Sequence, residues 1–189
     1  MRCFISIELP DDIKQGISGF ISKLKEIDKD IKWVKGENLH LTLKFLGEIE
    51  EQILPEIKDR LLNISKRHSP FDLRLKGIGA FPSIKRPRVI WIGIEDSASL
   101  INLQSEVEAS MSELGFQKEN RFEPHLTIGR LRGSGPSDAL IKGLSFEIPK
   151  EFGLFRVESI YIMKSELSPK GPDYYKIVEI PLKKLYELS

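Results

Sequence analysis

The sequence predicts an α+β protein built mostly on antiparallel sheet, and two features carry that expectation. Segments with the two-residue period of strands alternate with segments of helical period, but without strict regularity. Several neighbouring strand segments have no helix between them, as a parallel crossover would require.

Taken in order, residues 2–9 alternate, with Cys3, Ile5, Ile7 and Leu9 on one parity, as in a half-buried strand. Pro10-Asp11-Asp12 marks a helix start, and Ile13, Ile17, Phe20, Ile21, Leu24 and Ile27 follow at helical spacing, so 11–28 reads as an amphipathic helix. A short strand is expected at 31–34 and a clearer one at 39–46. Ile53, Ile57, Leu61 and Ile64 mark a second helix over 51–66. Strands near 71–79 and 87–94 are separated by the turn-rich stretch from Phe81-Pro82-Ser83 to Pro87. Leu100, Leu103, Val107, Met111 and Leu114 form the stripe of a helix over 98–114, with Gly115 as its stop. A strand over 124–131 leads to the loop Gly133-Ser134-Gly135-Pro136 and a short helix. Strands near 154–165 and 174–181 close the chain around a tight turn at Pro169-Lys170-Gly171-Pro172.

Bulk properties narrow the function classes. The 189 residues suit one compact domain or two small lobes sharing a core, so 1–189 is taken as a single unit. A net charge of +1 gives no global pull toward nucleic acid or an anionic membrane. An anionic ligand must therefore be held locally, and Lys85-Arg86-Pro87-Arg88 and the Arg130/Arg132 pair are the candidates. The lone Cys3 sits in an apolar run and reads as a buried, inert thiol, in keeping with a cytoplasmic protein. Glu8 and Pro10 interrupt the first apolar stretch too early for a signal peptide, and no run has the length of a membrane span. Neither G-x-G-x-x-G nor G-x-x-x-x-G-K occurs.

What recurs, once in each half, is His-Leu-Thr within a strand: His40-Leu41-Thr42 and His125-Leu126-Thr127. The chain has two threonines and three histidines, and both threonines lie two residues after a histidine. Random placement would do this in about one arrangement in six thousand. In each strand the histidine and its threonine share a face, opposite the aliphatic residues. Leu39, Leu41, Leu43 and Phe45 share the apolar parity, while Lys44 falls with His40 and Thr42.

Two such strands side by side bring two imidazoles and two hydroxyls to one cleft. Imidazoles exchange protons at neutral pH. Phosphodiester cleavage needs one group to take a proton from the nucleophile and another to give one to the leaving oxygen. Hydroxyls can hold the non-bridging oxygens. Two histidines supply this chemistry without a metal or cofactor. A zinc site has less support, since no third ligand lies on these strands. A single His-x-Thr is usually structural; two copies that exhaust the threonines point to function. His68, in Lys66-Arg67-His68-Ser69-Pro70, reads as a surface residue at a helix end.

The paired motifs resemble the two-histidine phosphoesterase superfamily, and more closely the RNA 2′,3′-cyclic phosphodiesterases, also called 2′-5′ RNA ligases. The likeness includes Arg2-Cys3-Phe4-Ile5-Ser6-Ile7, the run Asn38 to Glu48, Gly77 to Pro82, Arg88-Val89-Ile90-Trp91, His125 to Arg130, and Leu167 to Pro172. The resemblance implies a bilobal fold in which two mostly antiparallel sheets line a central cleft, with helices outside. It implies hydrolysis of RNA 2′,3′-cyclic phosphate ends, tRNA-derived ones among them, to a 2′-phosphate. It implies His40 as general acid, His125 as general base, and Thr42, Thr127 and Arg130 as phosphate ligands. By parity Arg130 falls with Leu126 and Ile128, so it reaches the phosphate only if the strand bends near Gly129. Phe45 and Phe81 are candidates to stack on an RNA base, with core packing favoured for Phe45 by its apolar parity. No membrane or DNA partner is expected, and a monomer suffices. Ligation to a 5′-hydroxyl RNA end and non-catalytic RNA binding are the alternatives.

Overall fold

In the computed structural model, which describes residues 1–183 other than 29, 96, 120, 134, 148, 149 and 170, the two motifs open two different sheets. Ser134 and Lys170, from the expected loop and turn, lie outside the described residues.

Cys3, Ile5 and Ile7 make one face of the first strand apolar, and all three are buried. This strand, β1 (Arg2–Glu8), accordingly sits inside a four-stranded sheet. It is flanked by β3 (His40–Glu48) and by β8 (Ser159–Ser168), which in turn pairs with β9 (Gly171–Pro181). The second sheet has five strands in the order β2 (Ile31–Trp33), β6 (His125–Leu131), β5 (Arg86–Glu95), β4 (Phe71–Ser83) and β7 (Glu151–Val157). Every pairing is antiparallel. The helices are α1 (Asp11–Lys25), α2 (Leu54–Ser65), α3 (Ala98–Glu113) and α4 (Asp138–Phe146). Their apolar stripes, such as Ile17, Phe20 and Leu24 of α1, pack into the core.

The two halves of the chain repeat one path and exchange a strand. β1, α1, β3 and α2 are followed by β4, which pairs in the other sheet with β5. Similarly β5, α3, β6 and α4 lead on to β8, which pairs in the first sheet with β1. Each sheet therefore contains strands from both halves, and β3 and β6 hold equivalent places beside β1 and β5.

Four expectations need correction. The strand expected at 154–165 is two strands in different sheets, β7 pairing with β4 and β8 with β1. The buried side chains change parity across Glu158, from Phe155 and Val157 to Ile160 and Ile162, and no Gly or Pro marks the break. The turn between β4 and β5 is shorter than expected, because the strands run on to Ser83 and from Arg86. Pro82 lies opposite Pro87, so the two positions that have no amide N–H to donate coincide across the ladder. The first helix ends at Lys25 rather than 28. Asp28 leaves the helix to accept from the Asp30 amide at 2.9 Å and from the Ser137 hydroxyl at 2.8 Å, and Ser137 itself caps α4. Finally, Glu51–Ile53 form a 3-10 turn ahead of α2. No helix among the described residues is long and apolar enough to cross a membrane.

Candidate active site

Each histidine is the first residue of its strand, and each ring folds back onto the chain that precedes it. The Nδ1–H of His40 donates to the Asn38 carbonyl at 2.7 Å, and that of His125 to the Glu123 carbonyl at 2.6 Å. A carbonyl can only accept, so the proton sits on Nδ1 and Nε2 carries the free lone pair. In the neutral state the Thr42 hydroxyl donates to Nε2 of His40 at 3.0 Å. Nε2, which in His40 is shared with Thr42, is thus the nitrogen of each ring that can exchange with a ligand.

One cavity of about 220 Å³ gathers the residues expected from sequence. His40, Thr42, His125, Thr127 and Arg130 all line it, together with Phe45, Asn38 and Tyr174. Among the described residues no three His, Cys, Asp or Glu side chains converge as a metal centre would need.

Arg130 reaches this cavity because the strand carries a β-bulge. Along β5 and β6, Ile90 pairs with Gly129 and Trp91 with Thr127, so Ile128 is the extra residue. A bulge reverses side-chain parity beyond it. Ile128 and Gly129 are therefore both buried, and Arg130 emerges on the face of His125 and Thr127. Gly129 is needed there: a Cβ would come within 2.9 Å of both Ile31 and Trp33 on β2.

The first motif has the same bulge. Ile5 pairs with Lys44 and Ser6 with Thr42, so Leu43 is the extra residue. This overturns two expectations. Phe45, assigned to the core by parity, is 57% exposed and lines the cavity. Lys44 turns inward, 1% exposed, where its ammonium donates to Glu108 at 2.8 Å and to the Gln117 carbonyl at 2.5 Å. Phe45 and Arg130 are consequently equivalent positions in the two halves.

Aromatic rings hold both imidazoles. His40 lies between Phe4 and Tyr174, with centroids 4.7 and 5.0 Å away, and His125 stands edge-on to Phe81 at 5.1 Å. Trp91 lies behind His125 at 6.4 Å. Burial lowers the His40 pKa below its usual value, against the opposing pull of the Asn38 hydrogen bond and the Glu8 charge. Tyr174 is pushed up by burial, despite nearby Arg130 and Arg2. Strand periodicity did not single out Phe4, Tyr174 or Asn38. For Phe4 a signal existed: it shares parity with Ser6 and Glu8, away from the Cys3, Ile5 and Ile7 face.

Three further expectations are resolved. Cys3 is buried and burial raises its thiol pKa, so the thiolate is disfavoured. His68 is not a surface residue. It is 7% exposed, and Nε2 lies 3.0 Å from the Glu106 carboxylate, because α3 covers the end of α2. Of the basic candidates, Arg130 lines the cavity, whereas Lys85, Arg86, Arg88 and Arg132 do not.

Known proteins resemble this chain in sequence and fold. A family model described as LigT-like phosphoesterase matches twice in tandem, over residues 7–91 and 92–174, one motif in each. A protein of Methanocaldococcus jannaschii named RNA 2′,3′-cyclic phosphodiesterase is 40% identical over 179 residues, spanning 95% of this chain and 99% of that one. The crystal structure of TT0787 of Thermus thermophilus superposes with a TM-score of 0.78 at 29% identity, over 96% of this chain and 98% of that one. The crystal structure of E. coli LigT complexed with 3′-AMP gives 0.74 at 25% identity, over 97% and 98%.

Proposed function

The chain belongs to the LigT-like phosphoesterase family, and from that premise we propose that it hydrolyses RNA 2′,3′-cyclic phosphate ends to 2′-phosphates, with His40 and His125 as its acid and base. The observation that carries this reading is one cavity lined by His40, His125, Thr42, Thr127 and Arg130, with Nδ1 of each histidine tied to a main-chain carbonyl.

Water attacks phosphorus opposite the 3′ oxygen. His125 takes its proton on Nε2. As the P–O3′ bond breaks, Nε2–H of His40 delivers a proton to O3′, leaving a 3′-hydroxyl and a 2′-phosphate. His40 ends neutral and His125 protonated, and exchange with water resets both. Thr42, Thr127 and Arg130 donate to the non-bridging oxygens, where negative charge gathers. The low His40 pKa disfavours the acid form in the empty site; an anionic phosphodiester beside the ring favours it. No metal enters this scheme.

The exposed ring of Phe45 suits stacking with the terminal base. A 2′,3′-cyclic phosphate needs a ribose 2′-oxygen, so DNA ends are not substrates, while tRNA-derived ends are one eligible class. The exchange of strands between the halves supports reading residues 1–189 as one bilobal unit. One chain supplies the whole site, so a monomer is sufficient. A lone buried thiol is compatible with the reducing cytoplasm.

The test is incubation with an oligoribonucleotide ending in a 2′,3′-cyclic phosphate, in the presence of a chelator, with the terminal phosphate located by ³¹P NMR. A 2′-phosphate product is expected. Turnover that requires added metal, or tight binding without turnover, overturns the reading. A 2′-5′-linked product formed with 5′-hydroxyl RNA would instead identify ligation.

A further inference from the structure

We propose that Lys32 forms a second phosphate subsite beside Arg130, for the phosphodiester that precedes the cyclic phosphate in an RNA chain. Lys32 on β2 and Arg130 on β6 are directly opposite each other. Side chains so placed share one face of the sheet. That face is the cleft. Ile31 and Trp33 point the other way, into the space a side chain at Gly129 would fill, and Arg130 lines the cavity.

Two cations directly opposite in a sheet repel each other and weaken the pairing. Neighbouring cations are neutralised: Lys35 lies 3.7 Å from Glu37, and Arg121 2.8 Å from Glu123. Among the described residues Lys32 and Arg130 have no carboxylate at ion-pair distance. The Lys32 ammonium also reaches toward the other sheet, 3.8 Å from where a Cβ at Gly171 on β9 would stand. It therefore lies between the two sheets, one step along β9 from Pro172, whose carbonyl accepts from the cavity residue Asn38. A like-charge pair held open at such a place fits two successive anions.

The subsite rests on the proposed function. Arg130 and the threonines hold the phosphate that reacts. The next phosphate of a polynucleotide stays attached to the same nucleoside through O5′, and Lys32 is the cation directly across the sheet from Arg130. An ammonium is a point charge that binds phosphate without reading sequence. Lys32 thus favours RNA ends over free mononucleoside cyclic phosphates, which lack the second anion.

The experiment compares adenosine 2′,3′-cyclic phosphate with an oligoribonucleotide that ends in the same cyclic nucleotide, for the unaltered protein and for Lys32→Ala and Lys32→Arg. Affinity for the two 2′-phosphate products is measured in parallel by titration. The alanine variant is expected to raise KM and product Kd about 5- to 10-fold for the oligonucleotide alone, with kcat unchanged. The arginine variant restores both. The salt dependence of log kcat/KM for the oligonucleotide becomes shallower by about 0.7, as for one lost phosphate contact on a single strand. Relief of the repulsion raises the Tm of the alanine variant. Equal product affinity for Lys32→Ala and the unaltered protein, or equal losses on mononucleotide and oligonucleotide, overturns the assignment. Absence of turnover by the unaltered protein, with the oligonucleotide-specific loss of affinity intact, overturns the proposed hydrolysis and leaves the subsite standing.

Discussion

His40 donates its Nδ1 proton to the main-chain oxygen of Asn38, two residues earlier, and so presents Nε2 to the cavity. His125 does the same with Glu123. In the proposed acid–base scheme both rings are needed for a substrate with a poor leaving group. His40→Ala and His125→Ala are each expected to lower kcat by about 10²–10⁴-fold on an RNA cyclic phosphate. A phosphodiester with a nitrophenolate leaving group needs no proton from an acid. On that substrate His40→Ala should recover most of its loss and His125→Ala should not. The opposite pattern would exchange the two roles.

The aromatic enclosure of His40 has a consequence for pH. Burial lowers its pKa in the folded protein, with the Asn38 carbonyl and Glu8 acting against it. The folded state then prefers neutral His40, so this contribution to stability is fully present above the ordinary value of about 6.5. It is lost as pH falls through the folded value. An NMR titration of the His40 ring should show a midpoint below that of a free imidazole, and Tyr174→Ser, which admits water, should move it upward. A midpoint at or above the ordinary value would show that Phe4 and Tyr174 do not desolvate the ring.

The two bulges explain how much of the site was legible in the sequence. Parity placed His40 with Thr42 and His125 with Thr127, since each pair precedes its bulge. Beyond Leu43 and Ile128 the same parity fails. It misassigned Phe45 and Lys44, and it left Arg130 reachable only through a bend at Gly129. A bulge arises from pairing with another strand, and one sequence segment does not carry that information. The exchange of β4 and β8 between sheets was hidden for a similar reason, because strand propensity is equal on both sides of Glu158. Tyr174 meets His40 only through the β8–β9 hairpin, across 134 residues of chain.

Phe45 and Arg130 occupy equivalent places, yet one is a neutral ring and the other a cation. Exchange of their chemistry should therefore affect different kinetic terms. If Arg130 holds the phosphate as proposed, Arg130→Ala removes a donor to charge that grows in the transition state, and a loss of about 10²–10³-fold in kcat is expected. Arg130→Lys should restore little, because the paired geometry of the guanidinium is gone. If the ring stacks on the terminal base as proposed, Phe45→Ala removes a surface worth about 1–3 kcal/mol per base, which should appear mainly in KM. Phe45→Trp should keep it. Steady-state kinetics on a cyclic mononucleotide distinguish the two patterns, and a kcat effect for Phe45→Ala with KM unchanged would mean that the ring does not contact the base.

Beneath Phe45, the Lys44–Glu108 pair fastens the bulge to α3 and to the segment that leads into β6. Glu108 accepts from the Lys44 ammonium and also from the Glu119 amide at 2.9 Å, while Gln104 donates to the Leu43 carbonyl at 3.3 Å. Its second carboxylate oxygen is buried without a partner. Lys44→Met strands a buried carboxylate and should cost about 3–5 kcal/mol of stability. The double variant Lys44→Met, Glu108→Leu removes both charges and should be more stable than Lys44→Met alone. Activity should follow a different course. The Gln117 carbonyl loses its donor in both variants, and that segment carries Glu123, the acceptor for His125. kcat should therefore stay depressed in the double variant even as stability recovers. Denaturant titration and kinetics on the same three proteins test this, and parallel recovery of stability and kcat would show that the pair does not position His125.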